Sequence, residues 1–96
     1  MQTITDIGTL IVKTPGTCGG RPRIAGHRLT VHNIAIDFNA GVKPEDILEE
    51  RPQLSLAKIY AALTYYFANK EVIDAEIAAD REEYDRLEAE YRAKMP

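Results

Sequence analysis

The pattern of apolar and polar positions is clearest in the middle of the chain, over residues 54–67. Apolar side chains recur there every three or four residues, which is the spacing of one buried face of an α-helix. Ser55 stands before this stretch as a candidate N-cap, and Leu54 with Ile59 fits the apolar pair that brackets a helix start. The predicted inward stripe consists of Leu56, Ile59, Tyr60, Leu63, Tyr66 and Phe67.

Two shorter helical patterns precede this stretch. Thr30 is the candidate N-cap of the first, which Gly41 ends, and Pro44 opens the second, which stops at Pro52. The second and third predicted helices, separated by a break of about four residues, follow the helix-turn-helix plan. In that plan the later helix, here the third, normally reads a partner. The alternative is that the third helix is simply the core helix of a small bundle. The predicted core positions of the first two helices are Val31, Ile34, Ala35, Phe38, Ile47 and Leu48.

The first 30 residues contain five of the six glycines, which is typical of strands and loops. Arg23–Ala25 and Leu29–Val31 are short β-prone runs, and Gly26 between them favours a turn. We predict a hairpin there, with a further strand at Leu10–Val12 beside it or paired to a second chain. A free strand edge is a pairing site, so this strand favours a homodimer.

From Lys70 to Ala93 the pattern stays helical but contains few apolar positions. Either the chain bends at Asn69 between the third and fourth helices, or the two run on as one helix. Such a helix either packs loosely across the bundle or occupies a partner's groove. The chain therefore divides into a β element plus helix-turn-helix over residues 1–69 and an acidic amphipathic helix over residues 70–96. Its sparse apolar stripe is Ile73, Ile77, Tyr84, Leu87 and Tyr91, with predicted ion pairs Glu82–Arg86, Glu88–Arg92 and Glu90–Lys94.

Charge is distributed unevenly along the 96 residues, which suffice for one domain. Residues 1–44 carry five Lys and Arg against two acids, whereas residues 61–96 carry five against nine acids. This asymmetry indicates two different partners, or the tail of one chain meeting the head of another. The single cysteine allows no intrachain disulfide, and the sequence shows neither a signal peptide nor an apolar run long enough to span a bilayer. We expect a cytoplasmic protein.

The most distinctive segment is CGGRPRIAGHRLTV, from Cys18 to Val31. With Ala40-Gly41, the PEDIL segment at 44–48, Pro52 and the AAL segment at 61–63, it closely resembles the family catalogued as domain of unknown function 433. The resemblance covers residues 8–68. Two positions depart from the family pattern: Arg51 replaces an aromatic residue that often precedes the proline, and Lys58 stands where an acid is common.

The resemblance implies a mainly α protein: a homeodomain-like three-helix bundle with a helix-turn-helix, a short N-terminal β element and a long C-terminal helix. It also implies the antitoxin of a prokaryotic toxin–antitoxin pair, usually beside a PIN-like ribonuclease, and no enzymatic activity. The residues agree with a non-enzyme, because Cys18, His27 and His32 lack any recognised catalytic or metal-ligand spacing. Gly16–Arg21 lacks the Gly-Lys-Ser/Thr ending of a phosphate-binding loop. We predict no cofactor and no metal.

DNA binding requires hydrogen-bonding side chains on the exposed face of the third helix, or cations that reach phosphates. The predicted outward face offers Ser55, Lys58 and Thr64 among alanines, so phosphate contacts carry most of this hypothesis. The alternative for Arg21 and Arg28 is structural, with each guanidinium holding loop carbonyls or a carboxylate such as Asp37. Arg51 adds a further cation between the helices. The predicted DNA-contact residues are Arg21, Arg23, Arg28, His32, Lys43, Ser55 and Lys58.

The sequence thus predicts an antitoxin that binds a PIN-like ribonuclease with its C-terminal helix and its own operator DNA with its basic half. Two alternatives remain: a DNA-binding regulator without a toxin partner, and an interaction module with a degenerate helix-turn-helix. For the acidic helix, the alternative is a solvated cap on the bundle. The predicted partner-binding residues are Ile77, Tyr84, Leu87, Tyr91 and Arg92.

Overall fold

Four helices follow two very short strands in the computed structural model, which describes residues 4–95. The protein is therefore mainly α with a short antiparallel β element near its N-terminus, as the sequence predicts. Within the described residues, none of the helices combines the length and apolar character needed to cross a membrane. The elements are β1 (Ile11–Val12), β2 (Arg23–Ile24), α1 (Val31–Asn39), α2 (Pro44–Glu50), α3 (Leu56–Ala68) and α4 (Lys70–Lys94), with 3-10 turns at Ile7–Thr9 and Cys18–Gly20.

The β element differs in part from the predicted hairpin. β1 pairs with β2, placing Ile11 opposite Ile24. The run Leu29–Val31 is not a strand, because Thr30 caps α1 and leaves only one bridge, to Arg23. Since β1 finds its partner within the chain, the argument for a homodimer from an unpaired strand no longer holds.

The helix ends follow the predicted local signals. Asn33 donates its backbone N–H to the Thr30 hydroxyl, and the Asn33 side chain accepts from the Thr30 backbone N–H, which completes a capping box. The Ser55 hydroxyl accepts from the Lys58 N–H at the start of α3. Gly41 follows α1 with a φ of +93°, a conformation that side chains resist.

The core forms around α3, but its buried face differs from the predicted stripe. Ile59, Leu63 and Tyr66 are buried as predicted, whereas Leu56, Tyr60 and Phe67 are exposed and Ala62 is fully buried instead. Only Lys58 and Thr64 are polar in α3, so periodicity alone cannot distinguish its two apolar faces. The side on which α1 packs decides between them. The remaining core residues are Ile24, Val31, Ile34, Ala35, Ile47, Leu54 and Ile73.

Helix α4 is separate from α3, because Asn69 breaks the helical backbone between them. It has one buried apolar residue, Ile73, and Ile77 packs half-buried against the core, while its hydrogen bonds to the bundle involve carboxylates. Three of its carboxylates contact side chains of the preceding elements. Asp74 accepts a hydrogen bond from the Tyr66 hydroxyl at 2.6 Å, and Glu76 lies 3.1 Å from His32 Nε2. Asp80 accepts hydrogen bonds from both terminal nitrogens of Arg21, at 2.7 and 3.1 Å.

Beyond Asp80, the hydrogen bonds and ion pairs described for α4 lie within the helix itself. Glu88–Arg92 forms as predicted, while Arg86 bonds to Glu83 and Glu90 rather than to Glu82. The distal half of α4 therefore extends from the bundle, and the molecule measures 65 × 29 × 23 Å. We call Asp74, Glu76 and Asp80, with Ile73, the α4 seat.

Truncation of α4 at two points separates its seat from its distal half. Removing residues 82–96 leaves the seat intact, so we expect a change in the free energy of unfolding of no more than about 1 kcal/mol. Removing residues 70–96 deletes Ile73 and exposes His32, so we expect a loss of about 2–5 kcal/mol, the usual cost of deleting a buried Ile. Urea unfolding followed by circular dichroism measures both. Equal stability of the two truncated chains would contradict a seat that ends at Asp80.

The Arg21–Asp80 pair predicts a pH dependence of stability. The hydrogen bonds from the Arg21 guanidinium hold the pKa of the Asp80 carboxyl below its usual value of 3.8. A carboxyl whose pKa is lower in the folded than in the unfolded protein stabilises the fold at pH values above its unfolded pKa. This stabilisation is lost as the pH falls through the folded pKa. Asp80→Asn is therefore expected to be less stable than the wild type at neutral pH, and the difference should shrink progressively below pH 3.8.

Urea unfolding of both proteins across this pH range measures the difference. Asp85→Asn is the matched control, because Asp85 is an exposed carboxylate on the same helix with no ion pair described. Added salt should reduce the Asp80 effect, since both side chains of the pair are partly exposed. A stability difference that is the same at neutral and acidic pH would rule out the ion pair as its cause.

Candidate nucleic-acid and partner interfaces

Cations gather where the loop before α1 meets the N-terminal end of α3. His27, Arg28 and Arg51 line a cavity of about 280 Å³ together with Leu29, Gln53 and Leu54. Lys58, in the first turns of α3, places its Nζ 3.4 Å from His27 Nε2. We call His27, Arg28, Arg51 and Lys58 the basic cluster.

Local structure explains why these residues meet. The His27 N–H donates to the Ile24 carbonyl across a turn in which Gly26 has a φ of +82°, and this turn directs the loop toward α3. Arg23 supports the turn from beneath by donating to the His27 carbonyl and the Thr14 hydroxyl, each at 3.0 Å. The Cys18 thiol donates to the Arg28 carbonyl at 3.3 Å. The loop is therefore held in place by the side chains of Cys18 and Arg23, which precede the turn at Gly26.

The chemistry of the basic cluster suits an anion. The first turn of α3 contains no acidic residue, so the positive end of its dipole adds to the field of the three permanent cations Arg28, Arg51 and Lys58. Arg28 is exposed and Arg51 and Lys58 are half-exposed, so their donors reach solvent. Ser55 is exposed beside them, although its hydroxyl already caps the helix.

The other predicted DNA-contact residues lie apart from this cluster. Arg21 is bound to Asp80, and Arg23 is used within the loop. Lys43 precedes α2, whose first turn contains Glu45 and Asp46. These three positions therefore add little to a continuous positive surface.

His32 is not on the surface, contrary to the prediction. Only 2% of it is exposed, its Nε2 contacts Glu76, and its Nδ1 is buried without a hydrogen-bond partner among the described residues. The sequence places His32 beside the buried stripe of α1 rather than within it. The face is buried because α4 crosses it, which no local pattern reveals. We therefore remove His32 and Arg23 from the DNA-contact candidates.

The outward face of α3 forms part of an apolar groove that the sequence analysis missed. The 3-10 turn at Ile7–Thr9 and strand β1 lie beside this face and enclose a cavity of about 600 Å³. Three hydroxyls, those of Tyr60, Thr64 and Tyr65, are the polar side-chain groups of the helix there, and the Tyr60 hydroxyl is already directed at Glu45. This face has few donors for reading bases. We call it the α3 groove, lined by Ile7, Gly8, Ile11, Ala57, Tyr60, Ala61, Thr64, Tyr65 and Ala68.

The predicted partner-binding residues divide into two groups. Ile77 is half-buried near the α4 seat, where it lines a cavity between α1 and α4 with Ile36 and the more exposed Tyr84. Tyr84, Leu87 and Tyr91 are 66%, 50% and 65% exposed, and their i, i+3, i+7 spacing places them on one face. We call these three residues the α4 stripe. Arg92 lies beside it and pairs with Glu88 at 2.6 Å.

The described residues form three surfaces of different chemistry. Among residues 4–95, no three His, Cys, Asp or Glu side chains come close enough together to hold a metal ion. The basic cluster is suited to phosphates, the α3 groove to apolar side chains, and the α4 stripe to an apolar groove on another protein.

Comparisons with known proteins give the same family that the Cys18–Val31 segment resembles. The family model described as "Protein of unknown function (DUF433)" matches residues 11–66, which include the basic cluster and end before α4. A crystal structure of a DUF433 member protein from Anabaena variabilis ATCC 29413 is 37% identical, with a TM-score of 0.69, over 73% of this chain and 69% of that one. Among curated proteins, no relative matches this chain. The protein belongs to the DUF433 family.

Proposed function

We propose that this protein is the antitoxin of a prokaryotic type II toxin–antitoxin pair, acting in the cytoplasm by binding rather than by catalysis. Its target would be a PIN-like ribonuclease, as the resemblance in the Cys18–Val31 segment implies. The observation that supports this proposal best is the α4 stripe, three large apolar side chains exposed on a helix that extends from its own bundle.

Burying this stripe is a strong driving force for association. A large side chain gains about 1.5–3 kcal/mol when it is moved from water into an apolar groove. The ion pairs of Glu83, Arg86 and Glu90 along α4 stabilise the helix before binding, so less conformational entropy is lost on association. Helix-in-groove recognition uses anchors at this spacing.

Arg92 extends the proposal to the nuclease itself. Its side chain is 76% exposed, and its partner Glu88 belongs to the same helix. Such a surface pair contributes little to stability, so exchanging Glu88 for carboxylates of an acidic nuclease site has a low cost. The hypothesis is that Arg92 enters the site while the stripe anchors the helix.

The basic cluster supports a second activity, binding of the operator DNA. Its cations lie on the helix-turn-helix predicted for residues 1–69, and phosphate contacts account for most of the affinity of such proteins. Because the α3 groove has few donors, sequence reading would depend on few contacts. The same cluster is what would support the alternative function, a DNA-binding regulator without a toxin.

The α4 stripe should decide toxin binding. We expect the double variant Tyr84→Ser, Leu87→Ser to weaken the complex with the proposed toxin, a PIN-like ribonuclease, by about 100-fold or more, because anchors at the centre of an interface typically cost at least 2 kcal/mol each. Co-purification and titration calorimetry of the two full chains measure the loss. Ribonuclease activity restored in the presence of the variant gives an independent readout.

The matched control is Val72→Ser, an exposed apolar residue of the same helix outside the α4 stripe. It should bind like the wild type. Wild-type chain that neither co-purifies with the ribonuclease nor inhibits it would rule out the antitoxin assignment.

The basic cluster should decide operator binding. The triple variant Arg28→Ala, Arg51→Ala, Lys58→Ala is expected to bind the DNA upstream of its own gene more weakly and with less salt dependence. Each lost phosphate contact lowers the slope of log affinity against log salt by about 0.9. Fluorescence anisotropy across a salt series measures this slope, with Arg81→Ala on α4 as the control. Equal slopes for wild type and triple variant would exclude the cluster as the DNA contact.

A further inference from the structure

The α3 groove has the form of a docking site for a helix. Small side chains run along its floor on α3, at Ala57, Ala61, Thr64 and Ala68, four or three residues apart. At 1.5 Å per residue this floor is about 16 Å long. Ile7 and Ile11 form one wall, and Ile7 is among the most exposed large apolar residues of the described chain.

The lining of the groove argues against a nucleic acid as its occupant. None of its lining residues is charged, and phosphates are bound by cations. An occupant must instead supply large apolar side chains to fill the space above the small residues of the floor. The α4 stripe presents such side chains over about 10 Å, since Tyr84 and Tyr91 are seven residues apart.

We propose that the α3 groove receives the α4 stripe of a second copy of this chain, so that two copies form a closed dimer with two equivalent contacts. A twofold dimer needs each copy to present both a groove and a helix, and this chain has both. Dimerisation in this proposal depends on the exchange of α4 between two copies and not on an unpaired strand, since β1 pairs with β2.

The geometry of α4 prevents the stripe from filling the groove of its own chain. The groove ends at Ala68, and α4 begins two residues later. Its seat contacts fix the direction in which it leaves, and Tyr84 lies about 21 Å along the helix from Lys70. Folding back would require breaking the Arg21–Asp80 and His32–Glu76 contacts. Only another chain brings a stripe to the groove without that loss.

The area is adequate for a stable dimer. The exposed parts of Tyr84, Leu87 and Tyr91 amount to roughly 350 Å², taking 150–250 Å² as the surface of a large aromatic side chain. The groove exposes less surface than the stripe, so two equivalent contacts bury on the order of 1,000 Å², about the minimum for a specific interface.

Charge also favours this pairing. Residues 82–95 contain five acids against three bases. Lys58 and the rest of the basic cluster lie at the N-terminal end of the groove-forming helix. An acidic helix laid along α3 therefore meets cations at the edge of the groove, which favours head-to-tail contact over contact between two acidic tails.

Dimerisation also has a consequence that rests on the proposed function. A stripe covered by a second copy is protected from water while the toxin is absent, and the toxin must displace that copy to bind it. The dimer itself is tested without the toxin, so its failure is distinguishable from failure of the antitoxin assignment.

The test measures the mass of the full chain in solution by light scattering, over a concentration series. We expect a wild-type dimer, and about tenfold or more weaker dimerisation for Ala61→Arg in the groove and for Leu87→Arg in the stripe. Circular dichroism checks that both variants stay folded. A monomeric wild type would overturn the proposal, as would a dimer that tolerates Ala61→Arg, because tail-to-tail pairing leaves Ala61 free.

Disulfide trapping gives a second readout that does not depend on disrupting the fold. In a Cys18→Ser background, chains carrying Ala61→Cys are mixed with chains carrying Leu87→Cys and oxidised. We expect a cross-linked heterodimer joining positions 61 and 87. Ala89→Cys, on the opposite face of α4, is the matched control and should not cross-link to position 61. Predominant cross-linking between two Leu87→Cys chains would show tail-to-tail pairing and overturn the proposal.

Discussion

Tyr66 joins three helices through one side chain, and the direction of α4 depends on it. Its ring is fully buried in the core face of α3, while its hydroxyl donates to Asp74 of α4 at 2.6 Å and accepts from the Asn39 amide of α1 at 2.9 Å. A buried hydroxyl needs such partners, because leaving it unpaired would cost about 1–3 kcal/mol. The Lys70 ammonium, followed by this hydroxyl, holds the pKa of the Asp74 carboxyl below its usual value. The carboxylate is therefore charged at neutral pH and keeps the start of α4 against the bundle.

The polarity of the α4 seat explains why the helix is both attached and extended. Apart from Ile73 and the half-buried Ile77, it gains little apolar burial from its own chain, so ion pairs and hydrogen bonds set its angle. Such contacts are directional but weak when exposed, and they end at Asp80. The apolar side chains beyond that point must therefore find other protein surface or stay in water. Both proposals, for a toxin and for a second copy, follow from this lack of apolar burial in the distal half of α4.

The arginines of the distinctive segment have three different roles. Arg21 anchors α4, and its pKa is raised chiefly by the hydrogen bonds to Asp80. Arg23 donates to carbonyl and hydroxyl groups within the loop, and Arg28 is exposed to solvent. A single short segment thus links the position of α4 to the shape of the basic cluster. A mutation at Arg21 or Arg23 that affects DNA binding would therefore not identify a DNA contact.

Local patterns in the chain are enough to predict the caps Thr30 and Ser55, the helix end at Gly41, the mainly helical class and the apolar α4 stripe. Capping bonds and helical periodicity act over three or four residues, so they are visible in the chain. The buried face of α3, the burial of His32 and the pairing of Arg21 with Asp80 depend instead on how the helices pack against one another. Those contacts join residues 44 and 59 positions apart. Because α3 is apolar on two faces and α4 has several free carboxylates, the packing of whole helices selects the partners, and no local pattern does.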